Sequence, residues 1–155
     1  MKNTITIKLT IALCLLPFLS QADITVEKHL NFGKVAILDN ATSSTITIFS
    51  NGTQSTHANI VAITKGYPGR YLLSNFPPST QLSISLSSGS TLSSFAGAPP
   101  PTQFYIEPYL DFSLWQTDAL GEVTLLVPGN LRTTGDGNSY QDGTYYRYYD
   151  LTINY

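Results

Sequence analysis

Thr144-Tyr-Tyr-Arg-Tyr-Tyr-Asp-Leu-Thr-Ile-Asn-Tyr155, entered through the turn Gln141-Asp142-Gly143, is the stretch whose reading decides the fold. Side chains alternate across a strand with a period of two. On that spacing Tyr149, Leu151, Ile153 and Tyr155 share one face, and Asp150, Thr152 and Asn154 share the other. One dry face and one wet face describe a strand that closes a core. Tyr146 and Tyr148 fall on its outward side.

The same alternation recurs upstream at short intervals. Residues 23–33 carry Ile24, Val26, Leu30 and Phe32 at period-two spacing broken at Lys28, with Gly33 as a bend or bulge. Residues 45–49 alternate β-branched side chains and run into Asn51-Gly52, the pair that favours a type I′ hairpin, so residues 58–64 are expected to return. Gly66-Tyr-Pro-Gly69 has the proline-glycine order of a type II turn and leads into a strand at 70–73, ended by Phe76-Pro-Pro-Ser79. In residues 81–86 Leu82, Ile84 and Leu86 point inward, and Ser87-Ser-Gly-Ser90 turns the chain towards 91–95.

Residues 96–101, Ala-Gly-Ala-Pro-Pro-Pro, form a stiff low-complexity loop. The aromatic run 104–115 is divided by Pro108, with Leu110, Phe112 and Leu114 as its inward set and Tyr105, Tyr109 and Trp115 on the opposite face. A turn at 118–121 precedes a strand at 122–127, stopped by Pro128-Gly129, and a glycine-rich loop spans 131–143. No stretch of ten residues has helical periodicity with caps. Short strands at regular spacing predict an all-β sandwich or barrel.

The opening 22 residues read as a secretory signal. Lys2 and Lys8 make a positive n-region, 11–16 with Phe18 and Leu19 an apolar h-region, and Ser20-Gln-Ala22 a small-residue cleavage site. The apolar run is shorter than the ~20 residues of a membrane-spanning helix and contains Pro17. Cleavage would leave 133 of the 155 residues, enough for one domain at 23–155, with no membrane span. Cys14 would leave with the signal, so the exported domain would hold together by packing and strand pairing without a disulfide. Lys2 and Lys8 would leave too, so 6 basic residues would face 10 acidic ones, a formal charge of −4 that argues against nucleic acid as a partner.

Leu30-Asn-Phe-Gly33, Gly66-x-Pro-Gly69, Gly121-x-x-x-Leu125-x-Val127-x-Gly129 and Gly143-Thr-Tyr145 with Leu151-Thr-Ile-Asn-Tyr155 resemble the secreted bacterial domain of unknown function 4402. The pattern covers nearly all of 23–155 and is similar to the wider group of pilin-like subunits, including the spore coat protein U type. The resemblance implies an immunoglobulin-like antiparallel β-sandwich exported from a Gram-negative-type cell to the periplasm, cell surface or medium; it implies no activity. Subunits of that kind polymerise by adding a strand to a neighbour, with a periplasmic chaperone and usher as partners. Only about ten residues separate the expected cleavage site from Gly33, so 23–32 can serve as the domain's own first strand or as a donor carrying Ile24, Val26, Leu30 and Phe32.

Little else carries chemistry. His29 and His57 neighbour the inward residues Leu30 and Ala58 and are expected on the surface; two histidines and no retained cysteine exclude a structural zinc site, and no cofactor is expected. Asp136-Gly-Asn138 with Tyr140 and Asp142-Gly143 has the opening spacing of a calcium loop, yet the twelfth position is Arg147 where a glutamate belongs. The default reading there is a glycine-rich turn with aspartate and asparagine at positive φ. The serines lack a Gly-x-Ser-x-Gly elbow, and the carboxylate pairs Glu107 with Asp111 and Asp118 with Glu122 read as solvated, so no enzyme is expected. The aromatics Tyr105, Tyr109, Trp115, Tyr146 and Tyr148 point to contact with like subunits, another surface protein or a glycan. Two readings follow: a fimbria-like structural or adhesive subunit, or a self-contained module that binds a glycan or surface protein.

Overall fold

A computed structural model describes residues 21–87, 92–97 and 102–155. All but the last two residues of the expected signal lie outside these, as do most of the 87–90 turn and of the proline-rich stretch. The described residues form β1 (Asp23–Lys28), β2 (Val35–Ile37), β3 (Thr45–Ile48), β4 (Gln54–His57), β5 (Ile60–Ala62), β6 (Gly69–Ser74) and β7 (Gln81–Ser87). Then come β8 (Ser94–Phe95), β9 (Tyr105–Pro108), β10 (Leu114–Gln116), β11 (Val123–Val127), β12 (Gly129–Arg132), β13 (Tyr145–Tyr146) and β14 (Asp150–Asn154), and no helix. The strands pair in antiparallel sheets ordered β1-β6-β11, β10-β7-β14 and β4-β3-β12-β9, with ribbons β2-β5 and β8-β13. The described residues are all-β, consistent with a β-sandwich.

Two apolar clusters hold these layers. Tyr71 and Leu73 of β6 with Leu125 and Val127 of β11 pack on Leu82 and Ile84 of β7, and Leu86, Trp115, Tyr149, Leu151 and Ile153 close the edges. The second cluster joins Ile46 and Ile48 of β3, Ile106 of β9 and Leu131 of β12 to Phe32, Ile60 and Phe104. Each fully buried aliphatic side chain contributes about 1.5–3 kcal/mol by leaving water. Pro128, buried between β11 and β12, lacks the N–H that would continue the first ladder. There the chain crosses from the β6 sheet to the β3 sheet.

That crossing corrects the reading of Pro128-Gly129 as a stop: Leu131 and Arg132 lie in β12, the central strand between β3 and β9, and not in a loop. The Asn51-Gly52 hairpin is present but is not type I′. Only Gly52 has positive φ, at 76°, and the Phe49 N–H donates to Thr53 O at 3.0 Å, which makes a three-residue loop. The returning strand is β4; Ala58, at φ 65°, ends it, and Ile60–Ala62 leaves to pair with Val35–Ile37. Gly66-Tyr-Pro-Gly69 is extended and not a type II turn. Tyr67 and Asn31 exchange backbone hydrogen bonds of 2.8 and 3.0 Å, and a Cβ on Gly66 would stand 2.3 Å from Asn31 O, so the glycine serves close approach.

Two of the three residues in the inward set assigned to the aromatic run are reversed. Leu110 packs on the core, whereas Phe112 is 67% and Leu114 55% exposed, and Trp115 turns inward opposite Leu82. Residues 109–113 are not strand, so counting by two across them loses the phase. The terminal stretch keeps its phase, but it is two strands, β13 and β14, and not one. Tyr155 stands largely in solvent with its ring edge-on to Phe76 at 4.9 Å, outside the core it was expected to close.

Candidate functional site

β1 and β14 are edge strands of facing sheets, and the seam beside them is open. Ile24 stands opposite Leu73 and Val26 opposite Tyr71, so both share the inner face of the sheet, yet they remain 43% and 46% exposed. Residues 24–40 form one wall of a groove of about 1560 Å³ and residues 137–151 the other, with Phe104, Ile106 and Leu131 at its base. Small-molecule pockets run to about 1,000 Å³. A groove of this volume, lined in part by β1, β2, β13 and β14, has room for an extended polypeptide.

The proposed exchange residues divide within it. β1 is paired with β6 of its own chain, with a bulge between Val26 and Lys28 where the sequence alternation breaks. Glu27 forms an ion pair with Arg70, and the Lys28 ammonium lies 5.6 Å from the Tyr67 ring centroid. Leu30 and Phe32 are held in the second cluster, and beyond them Gly33 bends at φ 77° against the Thr64 carbonyl, where a Cβ would lie 2.1 Å from the oxygen. Ile24 and Val26 are lightly held. Leu30 and Phe32 are anchored.

From the opposite wall the Tyr149 hydroxyl is hydrogen-bonded to that of Tyr71 on β6, and the two rings meet edge to face at 6.4 Å. Burial, then the bond to Tyr71, pushes the Tyr149 phenol well above its usual range. Burial, then Asp111, raises Tyr109 less strongly, and Tyr109 is half-buried rather than presented to solvent. Tyr146 and Tyr148 point outward, Tyr148 being 83% exposed, and their rings meet at 5.5 Å. Tyr145, Arg147, Tyr149, Leu151 and Ile153 form the inward row, all half-buried. The Arg147 Nε and Nη1 are shielded from solvent and have no hydrogen-bond partner. The alternation that marks Tyr149 as inward marks Arg147 too, so its place was legible in the sequence.

The 133–140 loop is organised by an amide. Asn40, buried, donates from Nδ2 to Asp136 Oδ1 at 2.9 Å, Asn138 O at 2.9 Å and Thr134 Oγ1 at 3.0 Å, and its Oδ1 accepts from the Gly135 N–H at 3.0 Å. The Asn138 N–H leads in holding the Asp136 carboxyl below its usual range. Tyr140 stacks on Phe104 at 4.2 Å and accepts from the Thr134 N–H at 2.8 Å. Asn40 carried no signal in the sequence, because its partners lie more than ninety residues away. Asp136 thus gives one of its two carboxylate oxygens to protein donors, and among the described residues no three histidine, cysteine or acidic side chains cluster as metal ligands.

Tyr105 lies on the outer face of the β3 sheet, where the Arg132 guanidinium carbon is 4.4 Å from its ring centroid and Glu107 is 4.0 Å from Arg132. His29 and His57 are both exposed. Trp115, half-buried against the first cluster, leaves the exposed-face aromatics as Tyr105, Tyr146 and Tyr148. Comparison with protein-family models, curated proteins and solved structures finds no match for this chain.

Proposed function

We propose that the chain is a non-enzymatic, exported structural or adhesive subunit of a fimbria-like surface assembly, an immunoglobulin-like sandwich that accepts a β-strand from a neighbour. One observation carries this reading: the groove between the edge strands β1 and β14, whose apolar inner residues Ile24 and Val26 are left half in water. An added strand would pair its backbone along an edge and seat alternate side chains between the walls. The motif resemblance and the expected signal support the same reading. Exchange of the chain's own N-terminal strand would be confined to Asp23–Lys28, since Leu30 and Phe32 are anchored.

The pairing of β1 within its own chain favours a second reading, a self-contained module that binds through Tyr105, Tyr146 and Tyr148. The two are separated by thermal unfolding of the 23–155 protein with a synthetic strand of alternating threonine and valine. A strand acceptor gains several degrees at saturating peptide and gains amide protection along β14. An unchanged Tm overturns strand addition and leaves the module.

A further inference from the structure

The inner row of the terminal stretch reads Tyr145, Arg147, Tyr149, Leu151, Ile153, a cation in the middle of four apolar side chains beside the groove. The chain has three arginines. Arg70 is paired with Glu27 and Arg132 with Glu107, both on exposed surface. Arg147 alone has no carboxylate within ion-pair distance among the described residues, and two of its nitrogens are withdrawn from water without an acceptor.

A shielded donor without an acceptor forfeits the full hydration of that group, and a charged one forfeits most. The cost is recovered when a carboxylate meets the guanidinium fork with two parallel hydrogen bonds. Parity decides where that carboxylate sits. Arg147 lies between β13 and β14 and continues the inward alternation of Tyr149, Leu151 and Ile153, so a strand added along β14 and prolonged past its start would meet the guanidinium with a residue of its own inward row.

Resting on the strand-acceptor reading above, we infer that the groove is built for a strand from a different protein, one carrying an aspartate or glutamate within its row of apolar plugs. The chain's own β1 does not meet that requirement. Its inward positions are Ile24 and Val26; Asp23 and Glu27 lie on the other face, and Lys28 follows the bulge. Entering the groove of a second copy, it would bring no inward carboxylate to Arg147. Arg147 thus favours a foreign strand and disfavours self-polymerisation.

The test uses the 23–155 protein and three labelled peptides, followed by fluorescence anisotropy. One alternates threonine and valine with a single central glutamate in the valine row; the second has glutamine there; the third is this chain's own residues 21–32. The glutamate peptide is expected to bind roughly tenfold or more tighter than the glutamine peptide, as a charge-assisted pair in a shielded site implies, with the 21–32 peptide no better than glutamine. Arg147→Gln should abolish the preference while leaving glutamine-peptide binding within about twofold. Equal binding of the glutamate and glutamine peptides to the unaltered protein overturns the inference alone, and so does tightest binding of 21–32. Failure of all three to bind overturns strand acceptance itself.

Discussion

β1 and β14 carry the same kind of pattern and meet opposite fates. Both are edge strands, both flank the groove, and both turn alternate aliphatic side chains inward. Leu151 and Ile153 of β14 pack on the cluster built by Leu82, Ile84 and Leu125, whereas Ile24 and Val26 of β1 remain nearly half exposed. An apolar row states which way side chains point. Whether anything covers them depends on what the facing layer supplies.

The largest effect separates the two directly. Ile153→Asp places a carboxylate against the apolar cluster at an expected cost of about 3 kcal/mol or more, a large share of the roughly 5–15 kcal/mol a domain has, so urea titration followed by circular dichroism should find a strongly lowered midpoint. Ile24→Asp leaves its charge in the open groove, and about 1 kcal/mol or less is expected. Equal losses from the two substitutions would mean that the groove is closed in solution.

Next in size is the wall of the groove held by the amide. Asn40→Ala strips the 133–140 loop of its central donors and the Gly135 N–H of its acceptor, for an expected loss of about 1–3 kcal/mol and faster amide exchange at residues 135–138. Because Asp136 is held ionised by the folded loop, acid should release the same segment. Its contribution is present above the unfolded carboxyl value near pH 4 and is lost as pH falls below it. Unchanged exchange in Asn40→Ala would show that the stacked Tyr140 and Phe104 rings hold the loop without it.

What was readable from residues alone follows the range over which each signal acts. The strands at 81–86 and 150–154 were legible because an unbroken period of two lies within each. β12 was not, because Pro128-Gly129 signals a local stop while the tertiary structure uses it to change sheets. Trp115 was misplaced because an irregular segment separates β9 from β10 and resets the phase. Asn40 was invisible at any local range, whereas Arg147 was visible and lacked only a reason to matter until a groove stood beside it.

Smaller still is the effect of the hydroxyl that ties the 137–151 wall to β6. Tyr149→Phe removes the bond to Tyr71, for about 1 kcal/mol at neutral pH. Its pH dependence has a defined sign. The folded phenol keeps its proton well above the normal value near 10, while the unfolded chain begins to ionise there, so stability is level below about pH 10 and declines above it. Measured between about pH 8 and pH 11, the variant's Tm should fall less steeply than the parent's, with a residual slope left by Tyr109 and Tyr145, whose phenols are also raised. Identical slopes would place the Tyr149 ring in water, and with it the β14 wall.

The smallest global effect is the most informative about β1. Glu27 and Arg70 are both substantially exposed, so their pairing contributes less than about 1 kcal/mol. Glu27→Gln should therefore leave the urea midpoint nearly unchanged. A strand whose six residues are all exposed opens without the rest of the domain, however, so the lost pair should appear as faster amide exchange across Asp23–Lys28 and nowhere else. About 1 M salt should mimic the substitution by screening the pair. If global stability falls in step with exchange in β1, that strand unfolds with the core, and the contrast with β14 reduces to a difference in exposure. If only β1 responds, the N-terminal strand is a latch that opens independently, and the groove wall carrying Ile24 and Val26 can yield to an incoming strand while the clusters around Leu73 and Ile48 stay intact.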